Sequence, residues 1–204
     1  MEEITTQLRA GIKRAKRERK NSQGNGKEIL SIQDQRDLES LIALDFAKES
    51  GTWIPDFYAL GHPFSNGNEN TICILCAGQI VYKSNNLFNS LTISALFERI
   101  KLHNLLFPET SYTFVGFTGI DHSTKRPPYI EVILKQDYIH NTTPARPQEI
   151  QEYMYLLGFK LTSKASYSNG EYTVSDLFPR NVLKSTKDYL YVVDAEIKIA
   201  EQSK

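Results

Sequence analysis

The sequence predicts an α+β domain, and three features lead to this fold class. Apolar residues recur at steps of three and four over residues 32–49 and 90–106, as they do on the packed face of a helix. Short runs rich in Val, Ile, Tyr and Phe lie between the helices and are typical of strands. Two of these runs meet at Ala77-Gly78, which predicts a β-hairpin and therefore an antiparallel sheet.

The predicted elements follow one another as helix, three strands, helix, two strands, helix and a β-rich end. We place helices at 32–49, 90–106 and 147–157, and strands at 53–60, 71–77, 79–83, 111–117, 129–134, 159–162, 172–174, 181–183 and 189–194. Gly51 and Pro108 end the first two helices. The link over residues 61–70 is polar and contains Gly61 and Gly67, so we predict a loop there.

The composition limits the classes of protein to consider. The chain has 204 residues, enough for one good-sized core with a small appendage. Lys+Arg and Asp+Glu both total 24, and this zero net charge argues against a dedicated nucleic-acid coat protein. The sequence has no apolar run long enough to span a bilayer, and its polar beginning is not a secretory signal. We therefore expect no membrane partner and a cytoplasmic location.

Residues 1–27 differ in charge and composition from the rest of the chain. Residues 1–20 have a helical pattern and become strongly basic, and residues 21–26 have a composition typical of a flexible joint. We therefore predict an arm and joint over 1–27 that pack little against a main domain over 28–204. The basic face over 9–20 leaves two interpretations open. It contacts nucleic acid or an acidic partner, or it is an ordinary solvated helix face.

The two cysteines, Cys73 and Cys76, form one Cys-x-x-Cys pair. A zinc site would need a second pair of ligands at suitable spacing, and the sequence has none. Residues three apart on a strand also point to opposite faces. We therefore interpret both as small buried hydrophobic residues.

The stretch that carries chemistry begins at Asp176. Asn181 follows five residues later, across a Pro-containing loop, and Asp194 follows an aliphatic run. A hairpin between these runs would bring Asn181 and Asp194 together at one end. A carboxylate and an amide carbonyl are hard oxygen ligands, which Mg²⁺ prefers, and Asp176 would lie nearby to orient a hydroxyl. Phosphoryl transfer needs this division of roles, although an ordinary hairpin remains the alternative.

This pattern resembles the protein-kinase-like superfamily, in which Asp-Leu-x-x-x-x-Asn forms the catalytic loop. The resemblance implies that Asp176 is the catalytic base, and that Asn181 and Asp194 bind the metal of Mg-ATP. Upstream, Gln79-Ile80-Val81-Tyr82-Lys83 resembles the third kinase strand, whose Lys contacts the nucleotide phosphates. Glu98 is the acidic residue on the following helix that would pair with Lys83.

A closer resemblance covers residues 45–199. The segments Val81-Tyr82-Lys83, Leu102 to Pro108, Gly158-Phe159 and the Asp176 loop are similar to the serine/threonine/tyrosine kinase-like domains of bacterial polyvalent proteins. That family implies an intracellular protein of a bacterial phage or conjugative element. It also implies a minimal kinase-like fold. Its N-lobe, an antiparallel sheet with one packed helix, would cover about 50–135, and a reduced C-lobe would cover about 140–199.

The sequence departs from the kinase pattern at several points. Val174-Ser175 stands where most kinases have His-Arg, and Ala195-Glu196 replaces the Phe-Gly that follows the metal-binding Asp. No Gly-x-Gly-x-x-Gly occurs, so Gly67 marks the candidate phosphate loop. Ten residues follow Asp194, so we expect neither an activation segment nor peptide-binding helices. Three hypotheses therefore stay open: an ATP-dependent phosphotransferase, a non-catalytic kinase-like binding module, and an unrelated interaction domain. Under the first we expect the three polar residues to share one cleft, with Lys83 facing them.

Overall fold

The computed structural model describes residues 1–23, 30–75, 78–121 and 127–200. Its contacts divide the chain into two units. The first comprises Met1–Glu98 and Thr113–Gln136, and the second comprises Arg99–Tyr112 and Asp137–Lys204. Each unit combines helix with antiparallel sheet, so the predicted α+β class is confirmed. None of the helices in the described ranges is long and apolar enough to cross a membrane.

Two helices begin the first unit. Helix α1 spans Glu2–Gln23, and helix α2 spans Ile32–Glu49. Helix α2 begins where it does because Ser31 and Asp34 form a reciprocal capping box, which satisfies backbone N–H groups of the first turn. Helix α3, Ile93–Leu106, begins in this unit and ends in the second.

Helix α1 packs against α2, which corrects the prediction of an arm that packs little. Ile4 and Leu8 are fully buried. Gly11 lies on the same side of the helix, and a Cβ atom there would come within 2.3 Å of the Ile42 side chain. The basic residues masked this apolar stripe in the sequence. Residues 21–23 of the predicted joint continue the helix, and residues 24–29 lie outside the described residues.

A five-stranded sheet completes the first unit, in the order β1-β2-β3-β5-β4. The strands are β1 (His62–Asn66), β2 (Asn70–Ile74), β3 (Ile80–Asn85), β4 (Thr113–Ile120) and β5 (Tyr129–Asp137). The predicted hairpin between β2 and β3 is confirmed, with Ile72 opposite Lys83. Buried Phe57, Cys73 and Ile133 pack together in this unit.

Two predictions for residues 53–70 were wrong. Residues 53–60 do not form a strand: Trp53 makes one isolated bridge, and Phe57–Leu60 form a 3-10 turn capped by the Asp56 side chain. The polar link instead contains the edge strand β1, whose residues are all exposed. The sequence of β1 shows no alternation of apolar and polar residues, because the strand is held by its pairing with β2 and not by burial of one face.

The second unit contains helix α4 and two small sheets. Helix α4 spans Pro147–Leu156. One sheet has the order β11-β10-β6, and the other has the order β12-β9-β8-β7. These strands are β6 (Thr142–Pro144), β7 (Lys160–Ser163), β8 (Ser166–Ser168), β9 (Tyr172–Ser175), β10 (Val182–Ser185), β11 (Leu190–Val192) and β12 (Glu196–Ile199). The sequence patterns missed β6, β8 and β12, which have only three or four residues each.

One apolar core joins these elements of the second unit. Met154 of α4 and Val174 of β9 are fully buried, and Val182 and Val192 of the β10–β11 hairpin pack with them. Leu177 lies in the same core, directly after Asp176. Leu177 and the strands next to Asn181 and Asp194 are buried in this core. Their burial fixes the backbone that carries Asp176, Asn181 and Asp194.

Candidate functional site

The β10–β11 hairpin determines where Asn181 and Asp194 lie. Val182 pairs with Val192, so the residues just outside these two are at the open end of the hairpin. The backbone N–H of Val193 donates a hydrogen bond to the Asn181 carbonyl at 2.9 Å and extends the ladder by one step. Asn181 and Asp194 therefore lie at the same end of the hairpin, away from its turn.

A second strand pair brings Asp176 to this end. In the β9–β12 ladder, Ser175 is opposite Glu196. Asp176 follows Ser175 directly, and Asp194 precedes Glu196 by two residues. The two ladders therefore lead Asp176, Asn181 and Asp194 to one place in the second unit, and we call this group the open-end cluster.

Asp176 is held closely by its neighbours. Its φ is +62°, in the left-handed region that Asp tolerates better than most residues. The Asn181 amide nitrogen donates hydrogen bonds to the Asp176 carbonyl at 2.7 Å and to its Oδ2 at 2.8 Å. Arg180 donates to the other carboxylate oxygen, Oδ1, at 2.7 Å, and its guanidinium lies 4.8 Å from the centre of the Phe178 ring.

The strand before Asp194 is anchored from the segment that follows α3. The Thr110 hydroxyl donates to the Val192 carbonyl at 2.6 Å, and the Tyr112 hydroxyl donates to the Val193 carbonyl at 2.8 Å. The Asn104 side chain holds Tyr112 in turn: its amide nitrogen donates to the Tyr112 carbonyl at 2.8 Å, and its amide oxygen accepts from the Tyr112 N–H at 2.7 Å. Sequence reasoning missed these positioning residues, because nothing in their pattern indicates a partner some 80 residues away.

The charges of the open-end cluster do not balance. Asp176 is paired with Arg180, but Asp194 forms no ion pair with any residue of the described ranges. No three His, Cys, Asp or Glu side chains in the described ranges come together as a ready metal cage. The oxygen atoms available to bind a metal ion are those of the Asp194 carboxylate and the Asn181 amide. This sparse oxygen set suits Mg²⁺, which keeps several waters and takes further ligands from phosphates.

Three candidate residues lie in the first unit. Lys83 is buried on β3, with 7% of its surface exposed. Glu98, on α3, accepts a hydrogen bond from Arg9 of α1 at 2.7 Å, and both side chains are more than half exposed. Gly67 lies in the β1–β2 turn, where its N–H donates to the Asn70 carbonyl at 2.9 Å. The pairing of Glu98 with Lys83 and the position of Lys83 facing the open-end cluster stay predictions.

The opposite end of the same hairpin carries a second charged group, which the sequence analysis also missed. Lys184 Nζ bonds to Glu149 and Asp188 at 2.8 Å each, and Arg146 bonds to Glu149 at 2.8 Å. We call these four residues the turn-end cluster. Hydrogen bonds from Arg146 and Lys184 lower the pKa of Glu149 to about 2. A groove of about 520 Å³ lies beside them and includes Tyr153, whose pKa burial raises to about 12.

Of the two cysteines, Cys73 is fully buried on β2, as expected for a small hydrophobic residue, and burial raises the pKa of its thiol. Cys76 lies outside the described residues.

With this geometry in view, the comparisons with known proteins give a family. The family model for the Serine/Threonine/Tyrosine Kinase found in polyvalent proteins, Kinase-PolyVal, matches residues 35–201. The chain belongs to this family. The resemblance inferred from the sequence is thereby confirmed, and the match includes every candidate site residue. No curated protein and no solved structure matches the chain. Helix α1 precedes the matched residues of this Kinase-PolyVal domain.

Proposed function

We propose that this kinase-like domain has a minimal protein-kinase-like fold, binds Mg-ATP and transfers its γ-phosphoryl group to an acceptor hydroxyl. The observation that carries the proposal is the open-end cluster. Two independent strand ladders lead Asp176, Asn181 and Asp194 to one place. Catalysis of phosphoryl transfer rests on positioning and charge stabilisation, so an arrangement of this kind needs no covalent nucleophile from the protein.

Asn181 and Asp194 would hold the magnesium ion. The Asn181 nitrogen is used by Asp176, so its amide oxygen is the atom that remains for a metal. Asp194 would supply the ionised ligand, and it forms no competing ion pair within the described residues. The bound ion would neutralise charge on the phosphate oxygens during transfer.

Asp176 would act on the acceptor. Its carboxylate would take the proton of the acceptor hydroxyl while that oxygen attacks the γ-phosphorus and ADP leaves. In the structure both carboxylate oxygens are occupied, one by Arg180 and one by Asn181. Since Arg180 is about two-thirds exposed, its side chain can turn into solvent and release Oδ1 for the acceptor.

Residues of the first unit would bind the nucleotide. By the family resemblance, Lys83 contacts the phosphates, Glu98 pairs with Lys83, and the turn at Gly67 approaches the phosphates. Arg9 occupies one oxygen of Glu98, Oε1, and Oε2 is the oxygen proposed for Lys83. The same resemblance supports an intracellular role in a bacterial mobile element as part of this proposal.

One observation favours a second candidate, a kinase-like module that binds nucleotide without transferring phosphate. Asp176 is tied to Arg180 and Asn181 at once, and these bonds hold the proposed base away from an acceptor. The absence of His-Arg before Asp176 and of Phe-Gly after Asp194 points the same way.

The two candidates separate in one set of experiments. ATP is titrated into the wild-type chain and into Lys83→Ala, with and without magnesium, and radiolabelled phosphate transfer is then followed to the protein itself and to generic acceptors. Magnesium-dependent binding that Lys83→Ala weakens, together with transfer, supports the phosphotransferase. Binding without transfer supports the binding module. A wild-type chain that binds no ATP contradicts both.

A further inference from the structure

The exposed face of α1 is the strongest feature that the kinase proposal leaves unexplained. Residues 1–23 carry seven Lys and Arg against three Glu, a formal net charge of +4, so the rest of the chain carries −4. This segment precedes residues 35–201, which match the kinase family, so family membership does not account for its charge.

Five of the seven basic residues lie on one side of the helix. Ile4, Leu8 and Gly11 mark the face that packs on α2. The basic face lies about 150° away, at 3.6 residues per turn. It is formed by Arg9, Lys13, Lys16, Arg17 and Lys20, and we call these five residues the basic stripe.

The basic stripe is a preorganised surface. Each cation has another one three or four residues away along the helix, roughly 5–6 Å distant, and together they cover a length of about 16 Å. Four of them line a shallow groove of about 390 Å³ together with Ile12. Because α1 packs on α2, the helix that carries the stripe is already formed before it meets a partner.

Three of the five cations have no ion-pair partner among the described residues. Arg9 pairs with Glu98, but Lys13, Lys16 and Arg17 form no ion pair with any residue in the described ranges. Since the helix places these like charges side by side, an external anion that binds there would relieve the repulsion between them.

We propose that the basic stripe binds the phosphate backbone of double-stranded nucleic acid without sequence preference. A linear row of cations matches a linear row of phosphates, and counterion release drives such binding. An amphipathic membrane helix would need its apolar face for lipid, but in α1 that face is buried against α2. The surface thus recognises charge spacing, and three of its cations, Lys13, Lys16 and Arg17, have no part in the proposed ATP site.

The test uses the full chain and a short fluorescein-labelled DNA duplex of random sequence, followed by fluorescence anisotropy at several salt concentrations. We expect micromolar binding at low salt. The logarithm of the association constant should fall with the logarithm of salt concentration with a slope of about −4 to −5 for five contacts. The triple variant Lys13→Ala/Lys16→Ala/Arg17→Ala should bind at least tenfold more weakly, and its slope should be about three units shallower.

A matched variant tests whether DNA binding depends on the basic stripe or only on the net charge of the chain. Lys160→Ala/Lys187→Ala/Lys198→Ala removes the same charge from exposed positions of the second unit and should bind DNA nearly as the wild type does. Alanine preserves helix propensity, so the α1 variant should also keep its melting temperature. Equal losses in both triple variants, no duplex binding at low salt, or binding only to phosphatidylserine vesicles would overturn the proposal. Because Asp194→Asn leaves the basic stripe intact, it should bind DNA normally, whatever its effect on ATP.

Discussion

The two ends of the β10–β11 hairpin carry charged clusters of different character. At the turn end, Lys184 and Arg146 face Glu149 and Asp188, so two cations meet two carboxylates. At the open end, Asp176 and Asp194 supply two carboxylates, and among the described residues Arg180 is the one cation that pairs with them. The same hairpin therefore carries a balanced network at one end and an excess of negative charge at the other.

This difference separates a structural network from a candidate site. The turn-end cluster satisfies its own charges, and the pKa of Glu149, lowered to about 2, reflects that pairing. The open-end cluster leaves Asp194 without an ion pair in the described part of the chain, and a divalent cation would restore the balance. Substitutions at the turn end should therefore change stability, whereas substitutions at the open end should change chemistry.

The largest expected effect is at Asp194. Asp194→Asn removes the ionised metal ligand, and we expect transfer of radiolabelled phosphate to fall about a thousandfold or more, equivalent to about 4 kcal/mol. The matched change at the turn end is Asp188→Asn, which removes an exposed carboxylate and should alter transfer less than twofold. Equal effects of the two substitutions would show that the ends do not differ as described.

A smaller loss is expected for Asp176→Asn. This residue would act on the acceptor hydroxyl, so transfer should slow by about a hundredfold to ten thousandfold. The affinity for Mg-ATP should stay within about twofold, because the proposed base does not touch the nucleotide. If binding, measured by calorimetry, fell together with transfer, Asp176 would instead be part of the nucleotide site.

Arg180→Ala should have a modest effect in the opposite direction. Exposed ion pairs contribute roughly 0.2–1 kcal/mol, so releasing Asp176 from Arg180 should raise the transfer rate by about 1.5- to 5-fold. Lys187→Ala, at an exposed position of the hairpin turn, is the control and should change nothing. A fall of tenfold in Arg180→Ala would assign the guanidinium a direct role in holding the acceptor.

The smallest effect on chemistry is expected at Glu149. Its folded pKa of about 2 lies below its ordinary value of 4.5, so its pairing stabilises the fold above pH 4.5. That contribution is lost as the pH falls from 4.5 towards 2. Glu149→Gln should lower the melting temperature at neutral pH and flatten the acid part of the stability profile, with transfer unchanged. Glu152→Gln, an exposed neighbour on α4, should do neither.

The sequence predicted the hairpin and its polar residues because their signals are local. Aliphatic strands flank Asn181 and Asp194, and alternation along a chain reveals such strands directly. The sequence analysis expected Asp176 near these two residues, but it did not predict the pairing of β12 with β9 that brings it there, because the four residues of β12 carry too little pattern. It also missed the bond from Arg180 to Asp176 and the left-handed conformation of Asp176.

Helix α1 is a second case in which local sequence did not predict a long-range contact. Its charges are obvious in the sequence and suggested a solvated arm, but Ile4 and Leu8 are two apolar positions that pack on a partner helix. Local composition describes the exposed face well and says little about what the opposite face contacts. Long-range pairing is therefore the part of both the fold and the site that required the structure.

The most direct test of the open-end cluster is calorimetric titration of ATP in magnesium and in EDTA. The chains compared are the wild type, Asn181→Ala, Asp194→Asn and the turn-end control Asp188→Asn. We predict that the wild type and the control bind ATP only with magnesium, and that the two open-end variants lose at least tenfold in affinity along with the magnesium dependence. ATP binding that persists in EDTA, or that is unchanged in both open-end variants, would contradict the account.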